Sequence, residues 1–503
     1  MMPLNNSDEP RTLAAIDLGS NSFHMIVARV QNGQLQLLDR LREPVRLAEG
    51  LTREHDLKPE IAARAIDCLQ RFGQRVRDLP ADSVRAVGTN TLRRAQASTG
   101  FTEQAQNALG HPIEIISGIE EARLVYLGVA HSLPDPGGRR LVVDIGGGST
   151  ERIIGEPFNA VWLESRSRGC VGMTQRFFSD GSITKAAMKK AILAARLELQ
   201  PVRHMFRRLG WTVATGSSGT IRSVRDVVRE AGWSESGITA DSLKKLRAQL
   251  IACGSADAIN YRAVNPDRKP VFAGGVAILS AVFQSLKIEQ MLHSSGALRE
   301  GAVYDLLGRI QHQDVREATI QALTQRYQVD APQAARVEAT ALKLLEQVQQ
   351  TWKLRSEDSR QWLRWASLLH EAGRIIAHSQ YHRHGAYLVE HSDLPGFSVR
   401  DQRFLATLLV SHRRKFRSAP FDALPKPMRT IAVRLCILLR LSVLLHRGRS
   451  EKPGPVPELE ISEKHSMHLQ FPPDWLDEHP LTRADLEVEK KYLKNQDIQL
   501  KFT

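Results

Sequence analysis

The sequence predicts an α/β protein built from two related lobes, followed by an all-helical domain and a small α+β domain. Three observations carry this. Two stretches read alike: Ala14-Ala15-Ile16-Asp17-Leu18-Gly19-Ser20-Asn21-Ser22 and Val142-Val143-Asp144-Ile145-Gly146-Gly147-Gly148-Ser149-Thr150. Each runs an apolar strand into an Asp, then a Gly/Ser/Thr turn, then a second apolar segment. Strand-like and helical segments mix up to Leu307, and from Gly308 to His446 the strand signal gives way to apolar residues at helical spacing.

In chain order, residues 1–131 form the first expected lobe. Its strands are expected within Leu13–Val30, Leu35–Leu41, Val84–Gly88 and Ile113–Ile116, and its helices at Lys58–Arg77 and Thr102–Leu109. The loop Ser132-Leu133-Pro134-Asp135-Pro136-Gly137-Gly138 opens a second lobe, residues 132–307, with a further Gly/Ser signal at Gly216-Ser217-Ser218-Gly219-Thr220. Residues 308–449 are the helical domain, where Leu435, Leu438, Leu439, Leu441 and Leu444 share helical spacing. The linker Ser450–Pro457 opens residues 450–503. There, alternation at Leu459/Ile461 and Met467/Leu469/Phe471 predicts a hairpin, before a charged helix at Thr482–Asn495 and a last strand.

A chain of 503 residues, 42% hydrophobic and 25% charged, fits a soluble protein of several domains. Met1 to Arg11 is polar and has no apolar signal region. The run Ile431–Leu445 is too short to span a membrane and carries Arg434 and Arg440. Four scattered cysteines without a CxxC pair argue against a zinc site or a disulfide framework, and fit a reducing cytoplasm. The net charge is +14, and between Gln402 and Ser450 eleven Lys/Arg stand against one acid, Asp422. That stretch reads either as a solvated helical face or as a field for a polyanion, a phosphate polymer or an anionic membrane surface.

The chain has no GxxxxGK[ST] and no GxGxxG leading from strand to helix. The two Asp-Gly turns instead join strand to strand. Glycines there let backbone N–H groups face an anion, and a nearby Asp suits hydrated Mg²⁺. Ser117 and Glu120 have capping-box spacing before a helix at Glu121–Ala130, which gives Glu120 a structural task. Glu121 is left either to complement the helix dipole or to accept a proton from water beside bound phosphate. Thr89, Thr91 and Arg93 follow a short strand and suit phosphate contacts. His370-Glu371 does not extend to HExxH, and the scattered histidines around it predict no metal site.

Taken together, these segments resemble the exopolyphosphatase/guanosine pentaphosphate phosphatase family. The segments are Ile16–His24, Gly88–Arg93, Ser117–Arg123, Asp144–Glu151 and Gly216–Thr220. The resemblance implies actin-like (ribonuclease H-like) lobes and an HD-like helical domain. It implies that Glu121 activates water, that Asp144 and Glu151 surround Mg²⁺, and that Asn21, Arg93, Gly146, Gly147 and Ser149 contact phosphate. Leu369–Gly373, His382-Arg383-His384 and Ser392–Phe397 look more like the exopolyphosphatase branch. The expected activity is therefore Mg²⁺-dependent release of orthophosphate from the ends of inorganic polyphosphate, with Arg413, Arg414 and Lys415 on the polymer track. The alternative is hydrolysis of guanosine pentaphosphate. A non-catalytic polyanion- or RNA-binding role is disfavoured by the intact Asp144, Glu151 and Glu121 and by the sparse aromatic interleaving of the basic region, only Phe404, Phe416 and Phe421, so no nucleic acid is required. The expected protein is a cytoplasmic homodimer, with peripheral contact at the inner membrane face left open.

Overall fold

The computed structural model describes residues 11–31, 34–52, 54–95, 100–310, 314–452, 454–463, 466–494 and 497–503. Most of the polar N-terminal segment, Pro453 of the linker and Asn495 of the last helix lie outside them. The chain divides into two compact units, one ending at Asp314 and the other spanning Val315–Thr503.

The first unit holds two sheets of similar plan. One comprises β1 (Arg11–Leu18), β2 (Phe23–Gln31), β3 (Gln34–Glu43), β4 (Val84–Gly88) and β5 (Ile113–Ile115), in the order β3-β2-β1-β4-β5. The other comprises β6 (Arg140–Ile145), β7 (Thr150–Glu156), β8 (Asn159–Arg166), β9 (Val213–Ser217), β10 (Ile238–Thr239) and β11 (Gln290–His293), in the order β10-β11-β9-β6-β7-β8. Each begins with an antiparallel three-stranded meander and continues with parallel strands beside its first strand, and in the second sheet β10 is added antiparallel at the edge. Expected elements and observed ones agree closely, and the single apolar run Leu13–Val30 is a hairpin.

Alternation along β1 explains its position. Ala14, Ile16 and Leu18 pack with Cys68, Leu69 and Phe72 of the Pro59–Val76 helix, whereas Leu13 and Ala15 pack with Ala302, Val303 and Leu306. Successive side chains point to opposite faces, so a strand covered on both sides reads as continuously apolar. In β6, Leu141, Val143 and Ile145 join the large core of the second sheet, and Val142 faces the Gly118–Ser132 helix.

The two sheets also exchange helices. Gly118–Ser132 follows the first sheet and packs on β7 and β8, and Leu298–Ile310 follows the second sheet and packs on β1. These two helices cross at glycines. A Cβ on Gly301 would lie 1.8 Å from the Leu124 carbonyl oxygen, and one on Gly128 would lie 2.1 Å from that of Ala297. The sequence-expected boundary between residues 307 and 308 therefore falls inside the Leu298–Ile310 helix. Among the described residues one helical stretch, Pro266–Leu286, is long and apolar enough to cross a membrane, and it is 83% buried within its unit.

The second unit is a helical bundle carrying a three-stranded sheet, β12 (Glu458–Glu463), β13 (Ser466–Gln470) and β14 (Gln499–Phe502). The expected hairpin is β12–β13, and β14 adds to it in parallel. Leu435, Leu438 and Leu439 of the Lys426–Leu445 helix belong to one continuous core with Leu459, Leu469 and Leu500 of the sheet.

Candidate active site

The two Asp-Gly turns are the hairpin turns β1–β2 and β6–β7, and they face each other. A Cβ on Gly148 would lie 2.6 Å from Ser20 Oγ and 2.8 Å from Asn90 Oδ1, so a larger residue there would have to push those side chains aside. The second turn is pinned from behind, because Cys170 and Val171 donate backbone N–H groups to the carbonyls of Gly146 and Gly147 at 2.9 and 3.0 Å. Between the turns lies a cleft of about 440 Å³. Asp17, Asn21, Thr89, Glu121, Asp144, Gly146, Gly147 and Ser149 all line it, as do Ser218, Gly219 and Thr220 of the third Gly/Ser segment.

Hairpin register sets the acidic floor. Asp144 lies opposite Glu151 across β6–β7 and beside Ser217 of the parallel β9. The Ser217 hydroxyl donates to Asp144 Oδ2, and Ser165 Oγ donates to Glu151 Oε1 at 2.9 Å. Glu151 is buried beneath the turn and does not itself line the cleft. Burial, with Glu121 and Asp144 nearby, pushes Asp17 up to about 8. Burial also raises Asp144 to about 6 against the Ser217 hydrogen bond, and it raises Glu151 well above the usual range together with Glu121 and Asp144. Asp17 Oδ1 is buried without a hydrogen-bond partner among the described residues.

Glu121 stands at the start of the Gly118–Ser132 helix. Ser117 Oγ accepts the Glu120 N–H at 3.1 Å, as the capping spacing predicts, but the Glu120 carboxylate does not complete the box. It turns instead to Arg85 and Arg123. Glu121 has partners too. Both terminal nitrogens of Arg93 donate to its Oε2 at 3.0 Å, and Ser149 Oγ lies 3.4 Å from Oε1. Burial raises the Glu121 carboxyl, and Arg93 and Ser149 oppose that rise. Arg93 also donates to the Ile116 carbonyl at 2.7 Å, so its guanidinium holds the carboxylate and does not line the cleft.

Sequence reasoning missed the opposite wall. Arg42, Arg222, Arg225, Arg268 and Arg299 line the cleft with His24 and His293. Among the described residues Arg42, Arg222 and Arg268 have no carboxylate partner. Burial, followed by neighbouring cations, lowers Arg222, and burial lowers Arg268 to about 10. His293 falls to about 4 through burial and Arg225. Crowded, partly desolvated cations facing a cleft are the electrostatic counterpart of a bound anion. One local signal was available: Arg222 and Arg225 are three apart on the helix that opens at Ser218, hence on one face.

Arg413, Arg414 and Lys415 lie in the second unit. There they line a separate cavity of about 680 Å³ with His378, His382, Arg383 and Arg417. The surrounding basic stretch is thinner than its composition suggests. Arg440 pairs with Glu489, Arg447 with Asp485, Arg449 with Glu371 and Asp330, and Arg434 donates to the Trp352 carbonyl. Glu371 is further held by Arg374, and His370 Nδ1 hydrogen-bonds the Ser367 carbonyl.

Family models match most of the chain: that of the Ppx/GppA phosphatase family over residues 26–310, and that of its domain III over residues 315–490. A guanosine-5'-triphosphate,3'-diphosphate pyrophosphatase of Aeromonas hydrophila is 40% identical over 477 residues, covering 95% of each chain. One from Vibrio cholerae is 40% identical over 476 residues, again covering 95% of each. The solved structure of an exopolyphosphatase from Cytophaga hutchinsonii aligns with TM-score 0.54 at 22% identity, over 59% of this chain and 98% of its own, and shares the fold. The Aquifex aeolicus Ppx/GppA enzyme aligns with TM-score 0.51 at 25% identity, over 59% of this chain and 99% of its own. The paired Asp-Gly hairpins, the actin-like lobes they join and these matches place the chain in the Ppx/GppA phosphatase family, as a hydrolase.

Proposed function

We propose that this hydrolase removes the terminal phosphate of guanosine pentaphosphate. The relatives matched over 95% of both chains support this reading above the polyphosphate reading favoured from sequence alone. Within the cleft, the arginine wall carries it. A nucleotide phosphorylated on both its 5′ and 3′ sides brings two anionic groups. The turns suit the phosphate being cleaved, and Arg42, Arg222 and Arg268 suit the other.

In this reading Glu121 orients the attacking water and accepts its proton, while Arg93 and Ser149 keep its carboxylate ionised and aimed. Asn21, Gly146, Gly147 and Ser149 cradle the terminal phosphate. The acidic floor fits a divalent cation. Its carboxyls raise one another, and Asp17 Oδ1 has no hydrogen-bond partner among the described residues. Asp144 and Asp17, which line the cleft, would hold Mg²⁺, with Glu151 buried behind Asp144, and the ion's charge would offset that on the phosphate oxygens. Among the described residues no three His, Cys, Asp or Glu side chains form a closed ligand set. Any ion held there would take its remaining ligands from water and phosphate oxygens. The four free cysteines support a cytoplasmic setting.

A second reading, hydrolysis of polyphosphate ends, is favoured by the basic cavity around Arg413, Arg414 and Lys415. The deciding experiment compares kcat/KM on guanosine pentaphosphate with that on long-chain polyphosphate. The proposal expects the nucleotide to be preferred, and a preference for the polymer overturns it.

A further inference from the structure

Behind the catalytic carboxylate lies a cluster of six charges, half of them buried and half part-buried, that the proposed reaction does not use. Arg85 of β4 is 1% exposed in its side chain. It donates to Glu120 at 3.3 Å and to Glu114 of β5 at 3.3 Å, and it pairs with Asp305 of the Leu298–Ile310 helix. Arg123 grips Glu120 at 2.7 and 2.8 Å and also pairs with Asp305. Arg309 donates to Asp305 at 3.0 Å. Burial works against the Asp305 charge, yet the guanidiniums of Arg123, Arg85 and Arg309 hold its carboxyl far below the usual range. Arg85, Arg123 and Arg309 thus pair among Glu114, Glu120 and Asp305.

Buried ion networks are poor sources of stability, because desolvation cancels much of their attraction. What they do supply is geometry. Here the geometry points at one place. Glu120 directly precedes Glu121, and its completely buried carboxylate is the tie between the first turn of the helix and the sheet. Arg85 lies on the strand that leads into Arg93, the partner of Glu121. Asp305 lies on the helix whose first turn brings Arg299 into the cleft. Three parts of the site thus converge on one cluster.

We infer that Glu120 and Asp305 are positioning residues: by tying the first turn of the Gly118–Ser132 helix to β4 through Arg85, they fix where Glu121 meets Arg93 and Ser149. The inference rests on the assignment of Glu121 as the base. A displacement of about 1 Å at a reacting group costs on the order of 100-fold in rate. Loss of the Glu120 charge therefore acts on turnover, while substrate binding at the turns and the arginine wall persists.

The test measures kcat and KM for guanosine pentaphosphate in the full chain and in Glu120→Gln, Asp305→Asn, Glu121→Gln and Leu246→Ala. Leu246 is fully buried in the other lobe, and its truncation supplies a destabilised control remote from the cluster. Glu120→Gln and Asp305→Asn are expected to lower kcat by about 10- to 100-fold per folded molecule, with KM within about threefold of the parent. Leu246→Ala loses thermal stability and keeps its kcat. In the Glu121→Gln background, Glu120→Gln should cause no further loss, since both act through one carboxylate. Parent-like kcat in both cluster variants, with Glu121→Gln inactive, overturns the positioning role alone. Full activity in Glu121→Gln removes the base itself, and the inference with it. If neither cluster variant folds, the cluster is structural and the inference is likewise overturned.

Discussion

Burial alone would keep Glu121 protonated well above the ordinary carboxylate range, and Arg93 with Ser149 works against it. General-base action needs the ionised form, so turnover should fall as pH drops, along a limb lying above the ordinary glutamate range. Arg93→Ala removes the main opposing charge. Its kcat–pH profile should shift that limb to higher pH, and a limb that stays in place would contradict the pairing. Glu121→Gln should lower kcat by about 10²- to 10⁴-fold while equilibrium nucleotide binding persists. At this scale the sequence exposed what is local. Asp144, Gly146, Gly147 and Ser149 were legible because turn chemistry is written in neighbouring residues. The arginine wall was not, because Arg42, Arg222, Arg268 and Arg299 come from separate elements and only folding brings them together. Glu120 was half legible for a related reason: Ser117 caps its N–H as the spacing predicts, but its carboxylate goes to Arg123 and to Arg85, which lies far away in the chain.

The hairpins and the helix crossing carry the site's geometry. Gly301→Ala would bring a Cβ to 1.8 Å from the Leu124 carbonyl oxygen, against backbone that cannot turn aside. Overpacking of this kind costs about 1–3 kcal/mol, so thermal unfolding of the first unit should begin several degrees lower. An unchanged midpoint would mean that the crossing has slack. The strands of both sheets were readable because period-2 alternation and Gly/Ser turns bracket them. The crossing was not readable, since nothing in Leu298–Ile310 says which sheet it will cover. The basic stretch misled for a physical reason as well. Arg434 and Arg440 turn inward to a carbonyl and to Glu489, where their charge offsets internal groups and leaves little field outside.

The two units bear on the substrate question separately. If the cavity of the second unit holds a long phosphate chain, polymer affinity should fall steeply with ionic strength. Replacing Arg413, Arg414 and Lys415 together by alanine should flatten that slope and leave kcat/KM for guanosine pentaphosphate unchanged. Equal salt slopes in variant and parent would remove the cavity from the polymer's path. Composition and helical spacing made this unit legible as a bundle followed by a sheet, with a Pro/Gly linker marking a seam between them. The seam exists in the covalent chain, but not in the interior. Leu459, Leu469 and Leu500 pack into the same apolar mass as Leu435 and Leu438. An endoprotease cutting at the exposed Glu451 would therefore not release a free-standing fragment. The two pieces would stay clasped until the bundle melts, and would come apart in a single step.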